Sequence, residues 1–161
     1  MCLLMFINFL LFCRFRLGRT VIYSTVKSPG GYLGTQEGKN LPVVHCVRGT
    51  PGWEIRPELD ALRTEEAIDK PTFGSTALGE LLKTWDTQSK ENGETGIESV
   101  TLVGLCTDIC VISNALLVKS FLPEVPITVD ASCCAGVTPQ SHKTALEAMK
   151  MCQIQVVGEA A

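Results

Sequence analysis

Val100-Thr101-Leu102-Val103-Gly104-Leu105-Cys106-Thr107-Asp108-Ile109-Cys110-Val111 is an apolar run that turns, past a glycine, into the start of a helical pattern. The run predicts a buried strand over Glu98 to Leu105, and Ile109 to Phe121 predicts the helix that follows it. Such a junction matters to a thiol for two reasons. The first backbone N–H groups of a helix lack intrahelical partners, and the helix dipole puts partial positive charge there. Both favour the thiolate, which is the reactive form of cysteine. The same N–H groups can hold the oxyanion of a tetrahedral intermediate formed during acyl transfer. Cys110 is therefore the candidate nucleophile. Free cysteine is also a common small buried hydrophobe, and the side chain of Cys106 reads that way.

Further strands and helices alternate on both sides of this junction. Thr20 to Thr25 has the β-branched and aromatic content of a buried strand, with Gly18 before it reading as a helix stop. Ser28 to Pro57 is dense in Gly, Pro and Asn, which predicts a long irregular excursion of the kind that usually carries function. Ala67 to Asp69 is a short extended segment that Lys70 ends, just before Pro71. Ala77, Leu78, Leu81, Leu82 and Trp85 recur at helical spacing, and the polar run Asp86 to Gly96 reads as a solvated linker. Pro126 to Val129 predicts a strand, Pro139 to Cys152 a helix capped by Thr138, and Ile154 to Val157 a last strand. The alternation predicts an α/β fold: a three-layer parallel sheet with helices on both faces.

Length and charge bound the function classes. The chain has 161 residues, which fits a single domain over 1–161 with an atypical stretch at 1–19. Its formal net charge is -3 with both signs interspersed, so it lacks the basic stripe that tracks a phosphate backbone, and nucleic acid is not an expected partner. Met1 to Phe12 is almost wholly apolar, yet at about a dozen residues it falls short of the roughly 20 needed to span a bilayer. No membrane association is expected from it. Eight cysteines sit mostly in apolar segments without a C-x-x-C pair, which suits a reducing, cytoplasmic setting better than a disulfide framework. Thiolate zinc is disfavoured because Cys106 and Cys110 are four apart and Cys133 and Cys134 adjacent.

Three segments resemble one known family, in order. Gly104-Leu105-Cys106-Thr107-Asp108-Ile109-Cys110-Val111 with Ser113-Asn114-Ala115-Leu116 resembles the nucleophile segment of the isochorismatase-like cysteine hydrolases, particularly their nicotinamidase branch. His45-Cys46-Val47-Arg48-Gly49-Thr50-Pro51-Gly52-Trp53-Glu54 resembles that family's His-Cys-x-x-Gly-Thr-x-Gly segment. Asp69-Lys70-Pro71-Thr72-Phe73 resembles the strand end that carries its lysine. The resemblance covers roughly residues 20 to 158 and implies a Rossmann-like sheet with the site at the carboxyl ends of the strands, as the general rule for open α/β sheets also has it.

The resemblance implies hydrolysis of a small carboxamide, with nicotinamide going to nicotinate and ammonia as in NAD salvage. Cys110 would be the thioester-forming nucleophile and Lys70 the cation beside it. The backbone N–H groups of Cys106 and Cys110 would form the oxyanion hole, entered by a cis peptide at Leu105-Cys106. Phe73 and Trp53 would shape the substrate pocket, and Asp108 would cap the helix. His45, with Glu37, would correspond to part of a zinc or iron site.

The departures are at the amino end. The family's first strand ends in Asp-x-Gln-Asn-Asp and supplies the general base, and no residue before Glu37 is Asp, Glu or His. Asn8 lies too close to the next strand for a parallel crossover, which takes more than a dozen residues. Either Cys2 to Phe15 is left over from a first helix, or an unrelated start has replaced the first strand; Cys2 to Phe12 filling the vacant place as a strand would close the sheet. Where the family's metal-binding Asp-x-His falls, this chain has Val26-Lys27-Ser28. Impaired activity is expected, with a non-catalytic remnant as the alternative, and a thiol redox sensor at Cys106 and Cys110 as a third. An interrupted sheet exposes unpaired backbone, so a homo-oligomer is open.

Overall fold

In the computed structural model of the protein, residues 8–15, 18–26, 32–55 and 57–159 are described, the first two segments through their backbone pairing. Six strands form one sheet: β1 (Asn8–Phe15), β2 (Gly18–Val26), β3 (Ile68–Lys70), β4 (Ile97–Leu105), β5 (Ile127–Ala135) and β6 (Gln155–Val157), in the order β3-β2-β1-β4-β5-β6. The pairs β2/β3, β4/β5 and β5/β6 are parallel, as expected. β1 runs antiparallel to both of its neighbours.

That reversed strand answers the question left by the amino end. Asn8 to Phe15 is not a leftover helix, and Gly18 opens β2 instead of stopping a helix. Residues 1–7 lie outside the described residues. Two residues separate β1 from β2, enough to join an antiparallel pair and far too few for a parallel crossover. Filling the central position with a reversed strand pairs the edges that β2 and β4 would otherwise leave open. It also carries Asn8, not Phe15, to the carboxyl end of β4: Phe9 is opposite Gly104, and Asn8 is opposite Thr25 on β2.

The long helices lie together. Leu78 and Leu82 of α3 (Thr76–Glu91), Ala115 and Val118 of α4 (Ile112–Phe121), and Leu146 and Met149 of α5 (Pro139–Met151) form one core with Val100, Leu102, Ile127 and Val129 of the sheet. Each fully buried leucine there contributes about 1.5–3 kcal/mol. Right-handed crossovers that advance in one direction across a sheet place their helices on one face. The β1–β2 hairpin supplies no helix for the other. Among the described residues that second face is covered at Val103 by Ile55, Leu59 and Ala67, which come from the long β2–β3 connection, a stretch that carries the short helices α1 (Gln36–Asn40) and α2 (Pro57–Asp60).

The stretch Asp86 to Gly96 corrects the linker reading, because α3 continues to Glu91. Asp86 is buried and both of its oxygens are used: Oδ1 accepts from the Ile97 N–H at 2.9 Å and Oδ2 from Lys90 at 2.6 Å. A carboxylate one turn from the end of a helix thus ties it to the start of β4. Thr138 caps α5 as expected, in a reciprocal pair with Ser141.

Candidate active site

β4 ends at a cis peptide between Leu105 and Cys106, and the chain then makes one wide helical turn, Thr107–Val111, before α4. The Cys106 carbonyl accepts from the N–H groups of Ile109 at 3.1 Å and Val111 at 3.0 Å. A hydrogen bond from the Cys106 backbone N–H favours the Cys110 thiolate. The turn therefore places a backbone donor beside the nucleophile's sulfur.

Lys70 reaches the same sulfur from the end of β3. It is 0% exposed, and its Nζ lies 3.3 Å from Cys110 Sγ while donating to the carbonyls of Phe73 at 3.0 Å and Thr72 at 3.3 Å. A lysine carries three donors, and all three are engaged. Burying an ammonium is costly unless it is hydrogen-bonded, so the turn after Pro71 that offers two carbonyls is what makes the site possible. Trp53, Phe73 and Ile109 pack around Cys110. The expected members Cys110, Lys70, Cys106, Phe73 and Trp53 thus come together from three separate stretches of sequence.

Three residues beyond those expected complete the site. Asn114, 0% exposed, donates to the carbonyls of Cys110 at 2.7 Å and Phe73 at 3.0 Å and accepts from the Ser75 N–H at 3.0 Å. It fastens the lysine loop to the nucleophile helix. Its signal in the sequence was an amide on the otherwise apolar side of the 109–121 helix. Cys46, held at φ 50, packs directly against Cys110 as a neighbouring thiol. His142 Nδ1 bonds the buried Thr107 hydroxyl at 2.8 Å. Asp108 is not a helix cap: both of its carboxylate oxygens accept from the Val137 N–H, at 3.1 Å each, so it ties the turn to the β5–α5 loop.

The thiol's acidity differs from what a helix start alone implies. Burial pushes Cys110 up from the ordinary thiol value; the Lys70 charge and hydrogen bond and the Cys106 N–H pull it back in part, and Glu37 adds to the rise. Desolvation wins because the pocket is enclosed by apolar side chains while the helix dipole acts over only one turn. Burial also raises Cys46, with Cys110 beside it, and Cys134, to about 11.

His45 and Glu37 do not make a metal site. His45 Nδ1 bonds the Val43 carbonyl at 2.7 Å, and its ring packs edge-on against Tyr32. Glu37 has one buried oxygen, Oε1, without a hydrogen-bond partner, the feature that favours a ligand there. Yet among the described residues no three His, Cys, Asp or Glu side chains gather, and zinc or iron sites usually take at least three protein ligands. Lys27 and Ser28 lie outside the described residues, and neither is a ligand for zinc. The donor set does not fit.

A cleft of about 540 Å³ opens beyond Trp53, lined by Arg48, Glu54, Asp60, Arg63 and Asp69 among others. Arg48 lies over the Trp53 ring at 5.6 Å and 3.8 Å from Asp69. This charged cleft adjoins the Cys110 pocket through Trp53.

Comparison with known proteins places this geometry. The model of the isochorismatase domain matches residues 11–160. The chain belongs to the isochorismatase family. A nicotinamidase of Schizosaccharomyces pombe is 31% identical over 153 residues, 87% of this chain and 67% of that protein. The solved nicotinamidase/pyrazinamidase of Bacillus subtilis superposes with a TM-score of 0.65 at 23% identity, covering 88% of this chain and 76% of that one. A pyrazinamidase of Pyrococcus horikoshii, solved in complex with zinc, gives 0.63 at 21% identity over 86% of this chain and 74% of that one. The fold is thus the expected isochorismatase-like α/β fold. Among the described residues no helix is long and apolar enough to cross a membrane.

Proposed function

We propose that this chain is a nicotinamidase-like cysteine hydrolase that acylates Cys110 with a small carboxamide-type substrate, nicotinamide being the reference, and releases the acid. The observation that carries the reading is the buried Lys70 Nζ at 3.3 Å from Cys110 Sγ, beside the apolar walls of Phe73 and Trp53. The Cys110 thiolate attacks the carbonyl carbon. Its oxyanion is held by the N–H groups of Cys106 and Cys110, and Lys70 compensates the charge on sulfur. Collapse of the intermediate breaks the C–N bond, the nitrogen leaving as ammonia with a proton drawn from solvent, and the thioester that remains is hydrolysed by water to the acid and the Cys110 thiol.

Amide turnover is slow in this proposal. The register brings the Asn8 end of β1 to the carboxyl end of β4, and no residue from 1 to 36 is an Asp, Glu or His that could give a proton to the leaving amine. The reading is tested by ammonia release from nicotinamide and pyrazinamide: a slow activity that Cys110→Ala abolishes is expected, and an activity unchanged in Cys110→Ala refutes it. The free state of all six described cysteines supports a reducing, cytoplasmic setting, where loss of nicotinate production in cells carrying Cys110→Ala is the corresponding readout.

A second reading, a fold remnant without turnover, draws on the raised Cys110 thiol. Any ammonia release lost in Cys110→Ala removes it.

A further inference from the structure

We infer that this chain is an acyl-transfer catalyst for leaving groups that depart without a proton, activated esters and thioesters, in preference to amides. The inference rests on the cysteine-hydrolase reading above and specifies its substrate class.

The two halves of an acyl transfer make different demands. Forming the bond to sulfur needs a nucleophile, a nearby cation and an oxyanion donor, and this site has groups for each: Cys110, Lys70 at 3.3 Å, and the Cys106 backbone N–H that bonds the resting thiol beside the place where the carbonyl oxygen would lie. Breaking an amide needs a further group, an acid that protonates the departing nitrogen. Lys70 is a poor candidate, since its three donors are committed to Thr72 O, Phe73 O and Cys110 Sγ. No residue from 1 to 36 is Asp, Glu or His. Among the described residues no carboxyl group hydrogen-bonds to Lys70 or Cys110, and Glu37 acts on the thiol only through its charge. A site with the first half of the chemistry and not the second favours substrates whose leaving group is itself a stable anion.

The balance of the step follows. The Cys110 thiol gives its proton to solvent, its sulfur bonds to the carbonyl carbon, and the carbonyl electron pair moves to oxygen. On collapse the C=O bond re-forms and the C–O or C–S bond of the substrate breaks, the aryloxide or thiolate leaving with the electron pair. Water then adds to acyl-Cys110, and the acid and the Cys110 thiol are regenerated. The sum is ester plus water giving acid plus phenol or thiol, with no oxidant or metal involved.

The probe is p-nitrophenyl nicotinate at pH 8.5, read by nitrophenolate absorbance and by mass mapping of the acylated cysteine, with nicotinamide run in parallel. The expected result is a burst of one nitrophenolate per chain, acylation at Cys110, and a rate roughly 100-fold above the denatured chain, the scale of one oxyanion donor. Nicotinamide turnover is expected to be at least roughly 1,000-fold slower than ester turnover, within the roughly 100- to 10,000-fold that a single general acid contributes. Iodoacetamide-blocked protein serves beside Cys110→Ser, so that a folding defect in the variant does not decide the outcome. Nicotinamide turnover within tenfold of ester turnover would overturn the inference and leave the hydrolase reading standing. Amide turnover at that level lost in Glu37→Gln would, in addition, make Glu37 the acid. No burst and no acyl-Cys110 above the denatured chain would overturn both.

Discussion

Replacing Asn114 by alanine tests whether the site is held together as described. The side chain makes three hydrogen bonds at 2.7–3.0 Å, and Asn114 is 0% exposed. Its loss would leave the N–H of Ser75, a residue only 4% exposed, without the acceptor it now has, at about 1–3 kcal/mol for a stranded buried donor. The Cys110 carbonyl would lose one donor. The Phe73 carbonyl keeps Lys70, so its loss is smaller; each is worth about 0.5–1.5 kcal/mol. The total is about 4 kcal/mol, a large share of the roughly 5–15 kcal/mol that stabilises a domain. With a urea slope of about 2 kcal/mol/M, the midpoint would fall by about 2 M. Equilibrium urea unfolding, followed by tryptophan fluorescence, reads this directly. A midpoint shift below about 0.4 M, under 1 kcal/mol on the same slope, would refute the view that Asn114 fastens the lysine loop to the nucleophile helix.

Three further outcomes are expected. Lys70→Met removes the cation but fills its space, so the melting temperature is expected to move little, while iodoacetamide labelling of Cys110 at pH 8.5 falls roughly tenfold, one pKa unit of lost thiolate stabilisation; an unchanged rate would separate Lys70 from the thiol. Asp86→Ala strands the buried Ile97 N–H and the end of α3, and a loss of about 2 kcal/mol is expected in thermal or urea unfolding; a loss below about 0.5 kcal/mol would restore the linker reading of that stretch. Zinc added after chelator treatment is expected to leave melting temperature and ester turnover unchanged, and a saturable rise in either would establish a metal site that His45 and Glu37 alone do not explain.

Much of the site was legible because the chemistry is local to short segments. The strand-to-helix turn around Cys110, the lysine at the end of Ile68–Lys70 and the capped start of α5 each follow from a few adjacent residues. The reversed β1 was not, since whether an apolar run pairs up or down depends on the loop that precedes its partner, and the close spacing of Asn8 to β2 was weighed only for a parallel crossover. The α3 extension was hidden because Asp86 looks like any polar surface residue until Ile97 is folded against it. Cys46 and His142 act across 64 and 35 positions of sequence, to Cys110 and Thr107, and no local pattern announces such contacts. The net acidity of Cys110 was hidden for the same reason. A helix start is visible in sequence, whereas the desolvation that outweighs it comes from the packing of distant side chains.

The sign of the thiol's response to pH follows from that desolvation. A cysteine raised in the folded state favours the protonated fold, so its contribution to stability is full below the unfolded thiol value and is lost as pH rises through the folded one. The same shift governs reactivity. The most direct measurement is the rate of iodoacetamide labelling at Cys110 against pH, mapped by mass spectrometry in the native and the urea-denatured chain. The account expects the native inflection to lie above that of the denatured chain, near pH 8.5 for an unperturbed thiol, and to rise further in Lys70→Met. Fast native labelling near pH 6 that vanishes on denaturation would contradict it, and would mean that Lys70 and the turn outweigh burial.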